Sequence, residues 1–220
     1  MTARCVGEAW GSRGLRVHLV RHGESTWNAG GLVQGRTAHV PLSRRGLAQA
    51  LELARTFARL PIRAVWTSDQ LRCLQTAELI AARHHLPTRC SGLLREQRHG
   101  VWEGTPVLEH PELVTVADPD WAPEGGETAR AVHGRAVAFV EELRRAAVTW
   151  PDDPPEVVVV SHGETIRALW AAALGHGAER MPPIVPGNAA PCSVLLAAGD
   201  GASSATAGSR PAPLATDAAR

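Results

Sequence analysis

Residues 19–28 of this chain read LVRHGESTWN, and residues 157–165 read VVVVSHGET. Each stretch is an apolar run of strand length that ends in the tripeptide His-Gly-Glu, with His22 in the first and His162 in the second. Continuous apolar runs of this length are typical of strands that are buried on both faces of a sheet. Ligands of open α/β sheets bind in the crevice at the carboxyl ends of the strands. The two stretches therefore predict two buried strands that each deliver a histidine to one crevice.

The residues that follow each histidine favour an anionic ligand in that crevice. A helix that begins directly after a strand points its free N–H groups into the crevice, and these groups attract anions. Taken singly, His22 or His162 is more often a hydrogen-bonded polar residue than a functional group. Two of them in the same kind of turn favour the functional interpretation. The hypothesis is that the two imidazoles face one another across a single phosphoryl group.

The composition limits the classes to which the chain can belong. With 220 residues and 44% hydrophobic content, it is long enough to bury a substantial core in one domain. Its formal net charge of +1, with no lysine in the sequence, gives no reason to expect a nucleic-acid or membrane partner. No stretch approaches the roughly 18 continuous apolar residues that a membrane span needs. The expected partner is a small molecule.

The cysteines indicate a reducing compartment. Cys5, Cys73, Cys90 and Cys192 are far apart and form no C-x-x-C pair, which argues against structural zinc and against a disulfide framework. Residues 1–14 lack the apolar segment and cleavage site of a signal peptide. The expected location is the cytoplasm.

Strand and helix patterns alternate along the chain. Apolar runs predict strands at 15–20, 64–66, 88–90, 157–160 and 192–196, and helical spacing predicts helices at 44–59, after a Thr67-Ser68-Asp69 cap, at 126–148 and at 164–174. This alternation predicts an α/β fold, a three-layer α/β/α sandwich with a mostly parallel central sheet. In helix 44–59, Ser43 is the expected N-cap, and the expected apolar face is formed by Leu47, Leu51, Ala54 and Ala58.

The sequence divides into three parts. Residues 1–14 are expected to form a loose leader, and residues 15–198 a single domain with a small cap insertion at about 100–125, where prolines accumulate. Residues 199–220 consist largely of Gly, Ala, Ser, Thr and Pro and have almost nothing to bury, which predicts a disordered tail.

Five motifs occur in the order of a known family. They are RHGESTWN at 21–28, SDQLR with QTA at 68–77, LRE with GVWEG at 94–104, GGET at 125–128 and SHG at 161–163. Together they resemble the histidine phosphatase superfamily, the phosphoglycerate mutase-like proteins, and the GVWEG run is similar to its phosphatase branch. The resemblance implies the phosphoglycerate mutase-like version of the predicted fold, and metal-independent hydrolysis of a phosphomonoester without a cofactor.

The resemblance also implies roles for the motif residues, and the chemistry agrees. A phosphomonoester dianion resists attack until its charge is offset, which suits guanidinium groups and a helix N-terminus. Arg21 and Arg72 would bind the non-bridging oxygens, together with Asn28, His162 and Gly163. His22 would be the nucleophile that forms a phosphohistidine, and the cationic arginines should lower its pKa and keep it neutral.

The leaving alkoxide needs a proton from a carboxyl group. By motif position Glu96 is the expected donor, with Glu103 as the second choice because the WEG run at 102–104 is better explained as structural. Glu24 and Glu164 are expected to cap or pair locally. No metal ligand spacing is present in the scattered His and Cys residues.

Three functions share these motifs. The mutases of the family resemble one another in a long basic lid that includes lysine, and in an Arg-His-Tyr-Gly segment; this chain has no lysine and no tyrosine. A catalytically silent relative that binds a phospho-ligand would be expected to have lost the nucleophile or an arginine, and neither is missing. The sequence therefore favours a phosphatase, with the mutase and the silent relative as alternatives. A homodimer is compatible with the sequence.

The substrate is left open between two classes. The rim segment QGRTAHVPL at 34–42, with Gln34, Gly35 and Arg36 as candidate rim residues, is one residue longer than the family pattern and lacks its aspartate. A second anionic group could be read by Arg36, Arg98, His99 and Arg130. Alternatively, Trp102 and Trp121 could stack on a ring or base.

Overall fold

A five-stranded sheet with strand order β3-β2-β4-β1-β5 forms the centre of the structure. The strands are β1 Gly14–Arg21, β2 Ile62–Thr67, β3 Thr88–Cys90, β4 Glu156–Ser161 and β5 Pro191–Ala197. All neighbours pair in parallel except β5, which runs antiparallel to β1 at the edge. The structure is a computed structural model that describes residues 14–115, 118–147, 150, 155–183 and 186–197. The expected tail over 199–220 lies outside these residues, and so does the expected leader over 1–14 except for Gly14, which begins β1.

Helices cover both faces of the sheet. They are α1 Thr26–Ala29, α2 Arg44–Phe57, α3 Leu71–Ala82, α4 Glu112–Thr115, α5 Ala129–Ala147 and α6 Gly163–Ala173, and there are short 3₁₀ turns at Gly92–Leu94, Gly100–Trp102, Val107–Glu109 and Ala178–Arg180. Alternate residues of β4 point to opposite faces: Val158 and Val160 pack with α2 and α3, and Val157 and Val159 pack with α5 and α6. The predicted three-layer α/β/α sandwich is confirmed.

The predicted inner face of α2 is wrong. Leu47 and Leu51 are 40% and 39% exposed, and Ala58 lies beyond the helix at its C-cap. The buried face instead carries Gly46, Ala50, Leu53, Ala54 and Phe57. Both stripes have helical spacing and share Ala54. The stripe that contains Phe57 buries more apolar surface, so it faces the sheet.

Two predicted helix starts also differ. The N-cap of α3 is Gln70, without a side-chain hydrogen bond, because Ser68 still donates its backbone N–H to Val160 in the sheet, at 3.2 Å. Helix α5 begins at Ala129 rather than at 126. The hydroxyl of Thr128 accepts a hydrogen bond from the backbone N–H of Ala131 and so caps the helix at this point. Ser43 caps α2 as expected and accepts from the N–H of Gly46 at 3.0 Å.

Helix α2 begins in direct contact with the first His-Gly-Glu turn. A Cβ atom at Gly46 would lie 1.9 Å from the carbonyl oxygen of Glu24, and one at Gly23 would lie 2.5 Å from the carbonyl oxygen of Gly46. Only two glycines allow the backbones to approach this closely. The turn that carries His22 is therefore held against the first turn of α2.

The two ends of the cap insertion are joined to each other, and a further bridge joins the cap to the loop after α1. Isolated antiparallel bridges join Leu32 to Pro106 and His99 to Gly126. Gly100 has φ +56, and a Cβ there would lie 1.9 Å from the carbonyl oxygen of Glu124. The cap thus closes as a loop over the carboxyl ends of the strands. Among the described residues, no helix has both the length and the hydropathy of a membrane span.

Candidate active site

The two histidines of the sequence motifs meet at the carboxyl ends of β1 and β4. Arg21 and Ser161 are register partners at the ends of these neighbouring strands, and each is followed by a histidine. The rings of His22 and His162 have centroids 5.2 Å apart and planes at 63°. Both are buried, with 2% and 0% of their surface exposed. The sheet therefore brings the two imidazoles together, as expected from the shared turn.

His22 is arranged as a neutral imidazole. Its Nδ1 lies 2.7 Å from the carbonyl oxygen of Gly23, so Nδ1–H donates to that oxygen and Nε2 carries the free electron pair. The pKa of His22 is well below its ordinary value of 6.5, first because the ring is buried and then because Arg72 and Arg21 are close. The arginines contribute as the sequence suggested, but burial is the larger cause.

Arg72 is the largest fully buried side chain of the site. Its Nη1 donates to the carbonyl oxygen of Thr37 and its Nη2 to that of Gly35, both at 2.9 Å. Arg21 donates from Nη1 to the carbonyl oxygen of Pro186 at 2.9 Å. The Nε atoms of both arginines are buried and have no hydrogen-bond partner in the described part of the chain. Two buried cations with unfilled donors are suited to an anionic ligand.

Asn28 is oriented by its neighbours. Its backbone N–H donates to the Ser25 hydroxyl, and its Oδ1 accepts from the Ser25 N–H at 3.1 Å, which forms a capping box. The Nδ2 of Asn188 also lies 3.3 Å from this Oδ1 and donates to the carbonyl oxygen of His22 at 3.1 Å. The side-chain nitrogen of Asn28, Nδ2, is therefore the group that this residue can offer to a ligand. No local sequence pattern predicted a role for Asn188.

Glu96 lies at the N-terminus of α6. Its Oε1 accepts from the backbone N–H of Gln97 at 2.9 Å and from that of Thr165 at 3.2 Å. Its Oε2 lies 3.4 Å from the backbone nitrogen of Glu164. The carboxylate lines the same cavity as His22, Arg21 and Gly163. Its carboxylate is therefore held by backbone N–H groups at the wall of this cavity.

His162, which was expected to bind the phosphate, packs edge-to-face against the ring of His22 and does not itself line the cavity. Its Nε2 lies 3.3 Å from the Sγ of the buried Cys73. Burial, followed by the charge of Arg72, holds the pKa of His162 well below 6.5. Burial also raises the pKa of the Cys73 thiol, so this cysteine stays protonated and acts as a neutral neighbour.

Glu164 was expected to pair locally, and it does pair with Arg167 one turn further along α6. It also lines the cavity beside Glu96. Burial raises the pKa of Glu164 to about 7, and the charge of Glu96 adds to this effect against the opposing charge of Arg167. A carboxyl group that titrates near neutrality in the cavity was not apparent from the sequence.

Two polar residues that were not predicted from the sequence, Gln70 and Arg135, hold segments of the site in position. Gln70 donates from Nε2 to the carbonyl oxygen of Gly35 at 3.0 Å, and its Oε1 accepts from the backbone N–H of Glu96 at 2.8 Å. Arg135 donates to the carbonyl oxygens of Leu93 and Arg95, on the segment that leads to Glu96. Such bridges between distant segments have no local sequence signature, because they depend on contacts formed only in the fold.

The site opens into a cavity of about 500 Å³. Of the predicted residues, the following line it: Arg21, His22, Asn28, Gln34, Gly35, Arg72, Glu96 and Gly163. Within the described ranges, no group of three or more His, Cys, Asp or Glu side chains is arranged to hold a metal ion.

Arg36 does not belong to the rim that it was assigned to. Its Nη2 lies 3.0 Å from both carboxylate oxygens of Glu127, and its side chain does not line the cavity. The carboxylate of Glu103 holds the same loop, because its Oε1 accepts from the backbone N–H of Arg36 at 2.9 Å and from that of His99 at 3.0 Å. Glu103 does not line the cavity either, and this fits a structural role for Glu103 better than the role of proton donor.

The comparison with known proteins agrees with this geometry. The sequence matches the model of the histidine phosphatase superfamily (branch 1) over residues 17–206. The chain belongs to this superfamily. As a member of the histidine phosphatase superfamily with phosphatases among its relatives, it is an enzyme that hydrolyses phosphate monoesters.

Two relatives and one solved structure illustrate the similarity. A glucosyl-3-phosphoglycerate phosphatase of Mycolicibacterium vanbaalenii is 35% identical, over 76% of this chain and 77% of the relative. Phosphoserine phosphatase 1 of Hydrogenobacter thermophilus is 34% identical, over 73% of this chain and 77% of the relative. The structure of a mycobacterial glucosyl-3-phosphoglycerate phosphatase with VO3 has a TM-score of 0.75 at 31% identity, covering 82% of this chain and 90% of that one.

Proposed function

We propose that this histidine phosphatase hydrolyses a small phosphorylated metabolite through a phosphohistidine on His22, without a metal ion, and with Glu96 as the proton donor. One observation carries the proposal: the free Nε2 of a neutral, buried His22 lies beside two guanidinium groups whose Nε donors are unpartnered. A nucleophile next to unfilled anion-binding donors is what attack on a phosphate dianion requires.

The first step transfers the phosphoryl group to the enzyme. The Nε2 electron pair of His22 forms the P–N bond while the P–O bond to the alcohol breaks. Glu96 in its acid form gives its proton to the departing alkoxide, which leaves as the alcohol. Arg21 and Arg72 bind the non-bridging oxygens throughout, so the negative charge that develops on them is stabilised.

The second step returns the enzyme to its starting state. Glu96, now a carboxylate, takes a proton from a water molecule, and the oxygen of that water attacks phosphorus. The P–N bond breaks, its electron pair returns to Nε2, and inorganic phosphate leaves. The Nδ1–H of His22 keeps its hydrogen bond to Gly23 in both steps, which fixes the ring.

The decisive experiment is phosphate release from a panel of phosphorylated sugars, glycerates and nucleotides in EDTA. The panel includes glucosyl-3-phosphoglycerate and phosphoserine, which the names of the relatives suggest as substrates. Wild type is compared with His22→Ala, and with His39→Ala as a matched control, because His39 is exposed on a loop. We expect release by wild type and by His39→Ala, and a loss of at least about 1,000-fold in His22→Ala.

Quenching with alkaline SDS during turnover of a ³²P-labelled substrate should also trap one phosphohistidine in the wild type and none in His22→Ala, because the P–N bond is stable in base and labile in acid. Full activity of His22→Ala would contradict the mechanism, and loss of activity in EDTA that is restored by a divalent metal would contradict metal independence. Recovery of the phosphate on a second alcohol instead of water would favour the mutase alternative. No turnover and tight phosphate binding by folded protein would favour the silent relative.

We also propose a cytoplasmic location. The three cysteines in the described ranges, Cys73, Cys90 and Cys192, are all free, and free thiols are typical of reducing compartments. Fractionation of cells that express the full chain with a C-terminal tag tests this, and recovery of the protein outside the cytoplasmic fraction would contradict it.

A further inference from the structure

The outer part of the cavity carries charge of the opposite sign to its floor. The floor presents the guanidinium groups of Arg21 and Arg72 beside the carboxyl groups of Glu96 and Glu164, and the mouth presents only carboxylates, those of Glu112, Asp118 and Glu179. We use "the mouth" for these three residues. Glu112 and Asp118 are exposed, and the side chain of Glu179 is 62% exposed. A ligand that fills the cavity therefore places its phosphate among cations and the far end of its alcohol among anions.

Arg130, which could offset the negative charge of the mouth, is already engaged by carboxylates of the protein. Arg130 forms a bidentate pair with Asp120, at 2.6 and 2.9 Å, and lies 3.7 Å from Glu179. It does not line the cavity, although its sequence position suggested an anion reader. The one Arg130 guanidinium thus faces two carboxylates before any ligand arrives, and the balance of charge at this end stays negative.

Arg167 is the cation nearest to the mouth that does line the cavity. It donates from Nη1 to Glu164 and from Nε to the carbonyl oxygen of Pro182. Burial lowers the pKa of His99, so this side chain is neutral at pH 7. Within the cavity, Arg167 is thus held by two partners, and His99 carries no positive charge that could offset the mouth.

An aromatic surface lies between the floor and the mouth. The rings of Trp102 and Trp121 both line the cavity, with centroids 5.5 Å apart. Trp102 is held by His110, whose ring stacks on it at 4.4 Å and 20°. Trp121 remains 37% exposed. Indole faces bind flat rings, and they attract cations through the ring quadrupole.

We propose that the substrate is a phosphate monoester of a ring-bearing alcohol that has no second negative charge, and that its far end is neutral or cationic. The ring packs against Trp102 and Trp121 while the phosphate binds at the floor. A second anion would meet the carboxylates of the mouth without a free cation to balance it. This inference rests on the proposed function, and it separates this chain from substrates such as phosphoglycerates, which carry a carboxylate.

Three synthetic esters of equal shape test the inference. They are para-hydroxyethylphenyl, para-carboxymethylphenyl and para-aminoethylphenyl phosphate, whose far ends are neutral, anionic and cationic, and whose leaving phenols have similar acidity. We expect kcat/KM of the wild type to be about tenfold lower for the anionic ester than for the neutral one, and highest for the cationic ester. The difference should shrink at high salt, because the mouth is exposed to solvent.

Matched variants assign the effect to the mouth. The triple variant Glu112→Gln, Asp118→Asn, Glu179→Gln should reduce the tenfold difference to about threefold or less. The control triple Glu52→Gln, Glu78→Gln, Glu141→Gln changes the net charge equally at exposed helix positions away from the cavity, and should keep the difference. Trp121→Ala should lower kcat/KM about tenfold more for each of the three aryl esters than for glycerol phosphate, which has no ring.

The possible outcomes test the substrate inference and the proposed function separately. Equal or preferred hydrolysis of the anionic ester, or a difference that the mouth variant does not change, overturns the inference and leaves the proposed function intact. Hydrolysis of none of the esters contradicts the proposed function. In that case, calorimetric binding of the same three esters to the wild type orders them without turnover, and tightest binding of the anionic ester overturns the inference.

Discussion

The Oε1 atom of Glu96 accepts a hydrogen bond from the backbone N–H of Thr165 at 3.2 Å and lies 3.1 Å from its hydroxyl oxygen. Thr165 lies in the first turn of α6, two residues after Gly163, which lines the cavity. The same hydroxyl donates to the carbonyl oxygen of Arg95 at 2.8 Å. Glu96, the proposed proton donor, is therefore tied by these hydrogen bonds to the N-terminal turn of α6.

Replacement of Glu96 should separate substrates by their leaving groups. In Glu96→Gln, the hydrolysis of alkyl phosphates should fall by about 100- to 10,000-fold, because a poor leaving alkoxide needs the proton. Hydrolysis of para-nitrophenyl phosphate should fall by less than about tenfold, since its phenolate leaves unaided. The comparison uses kcat/KM for both substrates, because kcat/KM reports the phosphoryl transfer to His22, whereas kcat also contains the second step, in which Glu96 acts on the same phosphohistidine whatever the substrate.

Glu103→Gln is the matched control for that experiment. Glu103 holds the loop at Arg36 and His99 and does not line the cavity, so its loss should affect both substrates equally and only by the amount that the loop loosens. A loss in Glu103→Gln that depends on the leaving group, together with equal losses in Glu96→Gln, would assign the proton to Glu103.

The two buried histidines should make the fold sensitive to acid. The pKa values of His22 and His162 in the native state lie well below 6.5, so the unfolded chain takes up protons first. The stability that the neutral rings provide is fully present above pH 6.5 and is lost as the pH falls towards the native pKa values. Each ring should contribute a slope of about 1.4 kcal/mol per pH unit to the free energy of unfolding below pH 6.

Urea unfolding between pH 7.5 and 5 measures this slope. His22→Asn should show a slope that is lower by about one proton, or about 1.4 kcal/mol per pH unit. The exposed His39 provides the control variant, His39→Asn, which should keep the slope of the wild type. Identical slopes in all three proteins would show that His22 is protonated in the native state as readily as in the unfolded chain.

Glu164 should have the opposite dependence on pH. Burial raises its pKa from 4.5 to about 7, so its contribution to stability is fully present below pH 4.5 and is lost as the pH rises through about 7. Glu164→Gln removes this titration. The free energy of unfolding of the variant relative to wild type should therefore rise by about 1 to 2 kcal/mol between pH 5 and pH 8.5.

Glu141→Gln is the control for that measurement, because Glu141 also pairs with an arginine three residues further along its helix but is exposed. Its stability relative to wild type should stay constant over the same pH range. A constant difference for Glu164→Gln as well would mean that Arg167 keeps the Glu164 carboxylate ionised throughout.

The close contact between the first His-Gly-Glu turn and α2 predicts a steric effect. Gly46→Ala places a methyl group 1.9 Å from the carbonyl oxygen of Glu24, so the backbone must move. The free energy of unfolding should therefore fall by about 2 to 4 kcal/mol. Gly134→Ala, in the interior of α5 where a Cβ meets no atom within 4 Å, should instead stabilise by about 0.5 to 1 kcal/mol. Thermal melts of both variants test the contact, and equal melting temperatures would contradict it.

The residues that could be predicted are those whose signal is local. His22 and His162 follow apolar strands directly, so the strand pattern alone places both at one edge of the sheet. The inner face of α2 could not be chosen in this way, because two stripes of helical spacing share Ala54 and only the packing of Phe57 decides between them. Periodicity limits the alternatives, and the sheet selects one.

The part of the site that was missed depends on contacts between distant segments. Gln70 joins the loop at Gly35 to Glu96, and Asn188 joins Asn28 to the carbonyl oxygen of His22. Arg36 was misassigned for the same reason, since its partner Glu127 is far away in sequence. A side chain's charge can be read from the sequence, but whether that charge is free to bind a substrate depends on its partner in the fold.

The way in which the cap is attached has a consequence for how such enzymes diversify. Its backbone bridges run from Leu32 to Pro106 and from His99 to Gly126, and neither involves a strand of the central sheet. Insertions, deletions or exchanges between these anchors can alter the aromatic and acidic walls without moving the strand ends that carry Arg21 and His22. The chemistry and the choice of substrate are thus inherited on separable pieces of one domain.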